Sequence, residues 1–429
     1  MNYSEKEVLS FVEENDVKFI RLTFTDLSGC LKNLAIMPSE LQTALKTGIK
    51  LDASVFYGKN DCSHNDIFLV PDTSTLSVLP WRPKTGRVVR FFCDIKNLDG
   101  TQFECDMRAC LKNTINKMRD KGFSCNIGTE CQFYLFETDD NGDPTHKTND
   151  KAGYLDVAPR DHGENIRREI CLSIHEMGIF PETSRHLYGH GQNEITFRYG
   201  DVLSACDNLI NFKTAVKSIA SQNGLYASFM PYPIIDQPRS ALLINFSITH
   251  NGKNIFSQTD NNIKAEGAQF IAGILRRINE ITAFLNPLTN SYHRNGIIPE
   301  PMYVNWAKKS RDHLIRIPSS HPGLERIELR SADPSCNMYV VLNLLITAGM
   351  EGIEEKLSLD SYSDSSKCMK LPQSLKQAAE LTSQSDFVRK VFSEFAVDSM
   401  LSLMSADAQE YENSDNKEAY EADKYFNFI

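Results

Sequence analysis

The chain has 429 residues and a formal charge of −10, from 46 Lys and Arg against 56 Asp and Glu. That acidic balance argues against a duplex-coating nucleic-acid binder, whose affinity would rest on a basic face. A hydrophobic fraction of 41% and a charged fraction of 24% exclude a disordered or collagenous chain, and no apolar run approaches the roughly 20 residues of a membrane span.

The opening MNYSEKEVLSFVEEN lacks the basic and apolar regions of a secretory signal and reads as a cytoplasmic start. The 11 cysteines are odd in number, lack a disulfide rhythm and form no CxxC pair. Reduced thiols in a reducing compartment are the natural reading, most of them small core residues.

In chain order, residues 4–14 have helical spacing, with Val8, Phe11 and Val12 on one face. Strands are expected at Val17–Phe24 and Leu31–Ile36, with a hairpin break between them. A short helix fits 38–45, with Pro38 in its first turn. Strands follow at 76–79 and 87–95, completing a small α+β unit. Asn97 to Gly100 is a turn and the expected domain boundary, dividing residues 1–100 from 101–429. Beyond it, helices are expected at 107–121, 162–177, 206–221, 265–285 and 337–350. Strands are expected at 125–136, 184–188, 194–199, 241–250, 313–317 and 326–331. The last eighty residues read as helical, with a polar stretch at 405–422 that suits an arm. Period-two geometry places Glu130 and Gln132 on one face of the 125–136 strand, with Cys131, Phe133 and Leu135 on the other. Polar inner faces on such strands imply a lined cavity.

The chain contains no GxxxxGK[ST], no strand-borne GxGxxG, no HExxH and no GxSxG. Its chemistry rests instead on acids and arginines in short strands. Glu130, Glu194 and Glu328 each stand in a half-apolar strand. Arg294, Arg311, Arg316, Arg326 and Arg330 cluster near the third of them. Forked guanidiniums on one face suit carboxylates or phosphates. A structural ion-pair ladder is the competing reading.

The segments FIRLTFTDLSGCLKN, LDASVFYG, FFCDIKNLDGTQFECDMR, GYLDVAPRDHGENIRREI, GQNEITFRYGD, NPLTNSYHR, LIRIP and RIELRSADPSCNMY resemble the type I glutamine synthetase family. The resemblance runs from about residue 16 to at least residue 376. It implies an α+β fold: an N-terminal β-grasp domain, then a catalytic domain of antiparallel sheet with helices. It also implies ATP and Mg²⁺ or Mn²⁺ as cofactors, and self-association into a two-ring dodecamer with sites between neighbouring subunits. The family reaction phosphorylates the glutamate side chain and lets ammonia displace the phosphate. Such a transfer relies on positioning and charge neutralisation.

Carried over by motif, the resemblance assigns Asp52 to ammonium binding, Glu300 to a flap over the substrate, and Arg294 and Arg330 to the substrate carboxylate. Arg311, Arg316 and Arg326 match arginines near the nucleotide phosphates, and Arg311 counts with Asp52 and Glu300 among the expected catalytic residues. Ser247 and Tyr199 border the nucleotide. Glu130, Glu194 and Glu328 match metal ligands. Three further ligand positions carry Gln132, Leu187 and Leu243, and an Asn–Gly pair that contacts substrate reads Pro238-Arg239. Arg239 as a replacement positive charge, or a ligand from His186 or His190, are two possible compensations. Hard divalent cations prefer oxygen donors, so these changes weaken both metal positions. The expectation is therefore a non-catalytic assembly with a structural, regulatory or ligand-binding role. The alternative is an ATP-dependent carboxylate–amine ligase with altered metal or substrate use.

Overall fold

A computed structural model describes residues 3–57, 66–82, 85–259, 262–293, 300–362 and 368–429. The first helix, Glu5–Glu14, begins at a capping box. Ser4 accepts the Glu7 N–H, and Glu7 reaches back to the Ser4 N–H at 2.7 Å. These contacts satisfy two otherwise orphaned donors. Val8 and Val12 are buried on its inner face.

That helix lies with a six-stranded sheet whose main path runs 31–36, 17–25, 87–96, 67–71 and 49–51, with strand 77–78 also pairing 87–96. Strands Val17–Thr25 and Arg87–Lys96 pair in parallel, Leu22 beside Phe91. The other pairings are antiparallel.

The second sheet has eleven strands. Its main path runs 306–308, 315–317, 327–329, 242–250, 123–138, 192–197 and 181–186. The central strand, Phe123–Thr138, spans 16 residues. Its face bearing Phe133 packs edge-on against Phe212 at a centroid separation of 6.1 Å and tilted against Phe229 at 5.7 Å. Phe246 of the neighbouring strand meets Phe270 at 6.1 Å. Each fully buried aromatic of this kind contributes roughly 1.5–3 kcal/mol. Helix Val202–Gln222 supplies Phe212, helix Ala265–Leu285 supplies Phe270, and Phe229 follows the short strand Leu225–Ser228. One face of the sheet is thus held down, and the other is left for polar side chains.

Helix Ala265–Leu285 lies against Met338–Glu354 at close range. A Cβ on Gly273 would stand 2.1 Å from the Ala348 carbonyl oxygen, so only glycine fits. The expected arm at 405–422 docks within its own chain. Buried Glu421 accepts bonds from Asn290 at 2.7 Å and Thr289 at 3.1 Å, and Phe426 packs on Phe136 at 4.9 Å. Among the described residues, no helix is long and apolar enough to cross a membrane.

Candidate active site

Strand register assembles the site. Glu130 stands directly opposite Thr196 on one side and Leu243 on the other. Gln132 faces Glu194, which in turn faces Arg185. Asn245 pairs with both Gly128 and Glu328, and Glu328 with Arg316. Directly opposed residues of antiparallel strands share a face. The three acids named from sequence therefore lie on one surface, together with Arg185, Leu243, Asn245 and Arg316. Ser247, opposite Asn126, continues the same face.

Two clefts open on this surface. One, of about 240 Å³, is lined by Gly128, Glu130, Tyr199, Asn245, Arg311, Arg316 and Arg326, among others. The second, of about 400 Å³, adds Lys309, Pro318 and Ser319 to Arg311, Arg316 and Arg326. The Tyr199 ring stands against Gly128, where any Cβ would approach it to 2.7 Å. Burial raises the Tyr199 hydroxyl well above its usual range, against a smaller opposing effect from Arg326. A larger cavity of about 670 Å³ lies elsewhere, against the 27–31 hairpin, and is mostly apolar.

Glu328 is fully buried. Arg316 grips it with two bonds, of 2.7 and 2.8 Å, and Arg330 adds a third contact. Burial alone would raise Glu328, but the two guanidiniums more than reverse this and hold it below the usual carboxylate range. Glu130 shows the opposite balance. Burial, followed by the charges of Glu194 and Glu328, raises it, with weaker opposition from Asn245 and Arg185.

Other expected positions fall further out. Arg239 is buried, donates to the Arg330 carbonyl at 2.9 Å and stands 3.6 Å from Glu300. It touches none of Glu130, Glu194 and Glu328, so it does not fill the place of a cation among them. Tyr232 donates its hydroxyl to Glu300. Arg330 donates to the Arg311 carbonyl at 2.9 Å. Asp52 is exposed, accepts the Ser54 N–H at 2.8 Å and lines neither cleft. Arg294 lies outside the described residues.

His186 points away from this face. Its strand neighbours Arg185 and Glu194 share the site surface, and period two sends His186 through to the other side. There Asp150 meets Nε2 at 3.0 Å and the Leu187 carbonyl accepts from Nδ1 at 2.8 Å. Asp150, Asp161 and His186 converge, but Arg167 occupies Asp161 and Asp150 accepts three backbone N–H bonds. This is a satisfied ionic knot with its own cation. His190 lines neither cleft. Neither histidine lends a ligand to the acids.

The donor set around Glu194 does not fit a divalent cation. Gln132 spends its oxygen on the Ala241 N–H at 2.8 Å and turns its amide nitrogen to Glu194 at 2.9 Å. Leu187 and Leu243 are buried and aliphatic. Arg185, which the sequence reading passed over, contacts Glu194. Its signal was present in the sequence as a cation displaced one strand from Glu194, but only the register reveals the pairing.

Two family descriptions match the chain: the glutamine synthetase beta-grasp domain over residues 16–98 and the glutamine synthetase catalytic domain over residues 104–425. A glutamine synthetase of Clostridium saccharobutylicum is 44% identical over 360 residues, covering 83% of this chain and 81% of its own. One from Methanosarcina mazei is 38% identical over 425 residues, covering 95% of each. A solved GmaS/ADP complex superposes with a TM-score of 0.87 at 23% identity, covering all of both chains. A ligand-free GmaS gives 0.86 at 24% identity, covering 98% of this chain and 99% of its own. These two structures speak to the fold. The expected non-catalytic assembly is overturned by the sequence relatives, which carry the name of an enzyme at 38–44% identity over most of this chain. The chain belongs to the glutamine synthetase family.

Proposed function

We propose that the chain is an ATP-dependent carbon–nitrogen ligase that joins a glutamate-type side-chain carboxylate to ammonia or an amine. The observation that carries this reading is the set of guanidiniums, Arg311, Arg316 and Arg326, that lines one cleft with Glu130 and Tyr199. Several forked cations converging on one cleft suit a polyphosphate, and an aromatic ring against Gly128 suits a base or ribose edge.

In this reading Arg311, Arg316 and Arg326 hold the phosphates, and Tyr199 and Ser247 border the nucleoside. Arg294 and Arg330 take the substrate carboxylate, with Arg239 beside them. A side-chain carboxylate oxygen bonds to the γ-phosphorus as the bond to the bridging oxygen of ADP breaks. The nitrogen of ammonia or an amine then bonds to the carbonyl carbon, phosphate leaves, and the nitrogen loses a proton to a carboxylate. Asp52 and Glu300 are the candidates for that last role.

Relatives named glutamine synthetase support the reaction class. Self-association belongs to the same reading. Asp52 lines neither cleft of its own chain, and in this reading it serves the site of a neighbouring copy. The units divide near residue 100, and the acids Glu130, Glu194 and Glu328 remain the electrostatic floor. No step here passes through a divalent cation, because the donors at Gln132, Leu187 and Leu243 do not fit one.

Isotope transfer tests the chemistry. Glutamate labelled with ¹⁸O in its side-chain carboxylate is incubated with ATP and ammonium or methylamine. The reading predicts one labelled oxygen in the released phosphate. Label-free phosphate during product formation would exclude an acyl phosphate route.

A further inference from the structure

Glu194 is a buried carboxylate, and a buried anion must be neutralised or hydrogen-bonded. Both of its oxygens are engaged from within the chain. Oε2 accepts the Gln132 amide at 2.9 Å. Oε1 contacts Nη2 of Arg185 as an ion pair, outside the alignment of a directional hydrogen bond. The same Nη2 stands 3.6 Å from Oε2 of Glu130. One guanidinium nitrogen thus sits between two carboxylates on adjacent strands.

We propose that Arg185 is a built-in counter-cation for Glu130 and Glu194, so that the cleft works with no divalent cation seated between these two acids.

Four features converge on this. Arg185 is directly opposite Glu194 in strand register, so its backbone is fixed within reach. Its guanidinium also donates to Thr183 at 3.4 Å, which is itself bonded to Thr196 across the strands. The Gln132 amide presents N–H to Glu194, and the Ala241 N–H fixes that orientation by requiring the oxygen. A cation seated here would face an N–H donor and a guanidinium where it needs oxygen. Finally, Leu243 lies opposite Glu130 and Leu187 lies on the same face as Glu194, so two positions beside the acids offer aliphatic carbon instead of oxygen. A guanidinium is suited to the role because one nitrogen can face both carboxylates while another is held by Thr183, and the group stays charged at any working pH.

The counter-cation half of the proposal stands without the ligase reading, and the nucleotide half rests on it. The experiment separates them. Mn²⁺ alone is titrated into the full-length protein and followed by its solution electron paramagnetic resonance signal, for wild type, Arg185→Gln and Arg185→His. Near-ultraviolet circular dichroism verifies the fold of each variant. Arg185→Gln is expected to bind Mn²⁺ about tenfold more tightly than wild type, with Arg185→His, which adds an imidazole ligand, as the positive control. An unchanged number and tightness of Mn²⁺ sites in Arg185→Gln would overturn the proposal. For wild type alone, ATP affinity is measured in EDTA and in Mg²⁺. The expected values agree within about threefold, and a loss of about a hundredfold in EDTA would overturn the proposal without any variant. Wild type that binds ATP in neither condition refutes the ligase reading, and the Mn²⁺ comparison then decides the role of Arg185.

Discussion

Glu328 remains an anion inside the sheet because two guanidiniums meet it there. Removing one partner of such a group leaves charge buried with less compensation, which is more damaging than losing a surface pair. Arg316→Ala removes both bonds of the fork, and Arg330 compensates in part. The expected loss is about 3 kcal/mol in urea unfolding, against less than about 1 kcal/mol for an exposed pair such as Lys50–Asp66. At this scale much of the site was legible. Period two puts Glu130 on the polar face with Gln132, and the alternation RIELR puts Glu328 on one face with Arg326 and Arg330, whereas Glu194 stands out only as a lone acid in a half-apolar strand. Arg185 was not legible. Its meaning depends on which residue it meets across the sheet, and linear spacing says nothing of cross-strand partners. Arg239 misled for the same reason: a new cation near a substrate position invited a role among the acids, but its guanidinium turns to Arg330 and Glu300.

Helix Met107–Asp120 ties the two sheets together through one buried side chain. Arg108 bonds Asp207 of helix Val202–Gln222 at 2.8 and 3.1 Å. It also bonds Asp72 at 3.0 Å and Asp94 at 3.1 Å, both on the first sheet's side. Burial would raise Asp72, but Arg108, helped by Lys112 and Ser74, holds it far below the usual carboxylate range. A carboxyl depressed in the folded state contributes stability above its unfolded pKa, near 4, and loses it as pH falls toward the folded value. Arg108→Met keeps the length and removes the charge. Calorimetry should find wild type melting well above this variant at pH 6, with the gap narrowing by pH 3. A gap independent of pH would show that Arg108 acts by packing alone. The helices around this knot, and the strands Val17–Thr25 and Arg87–Lys96, follow from their apolar periodicity. Strands Ile49–Leu51 and Ile67–Pro71 escaped notice. The first is too short to establish a period. The second is a continuous apolar run ending in proline, which alternation does not flag.

The whole molecule combines a catalytic sheet, complete with its arginine clefts, and an Asp52 that lines neither cleft in the same chain. Family membership was legible from long ordered motifs. The expectation of a non-catalytic assembly counts each altered metal position as a loss and looks to Arg239, His186 or His190 for compensation, whereas the cation that meets Glu194 is Arg185, from the neighbouring strand. With that cation in place, a ligase follows more economically than a silent scaffold. The most direct test is ADP release by the purified full-length protein with ATP and Mg²⁺, comparing glutamate alone, ammonium or an alkylamine alone, and the two together. Sustained ADP release that requires both the carboxylate and the nitrogen substrate is the expected result. Bound ATP with no ADP release for any pairing, or release indifferent to glutamate, would contradict the ligase reading.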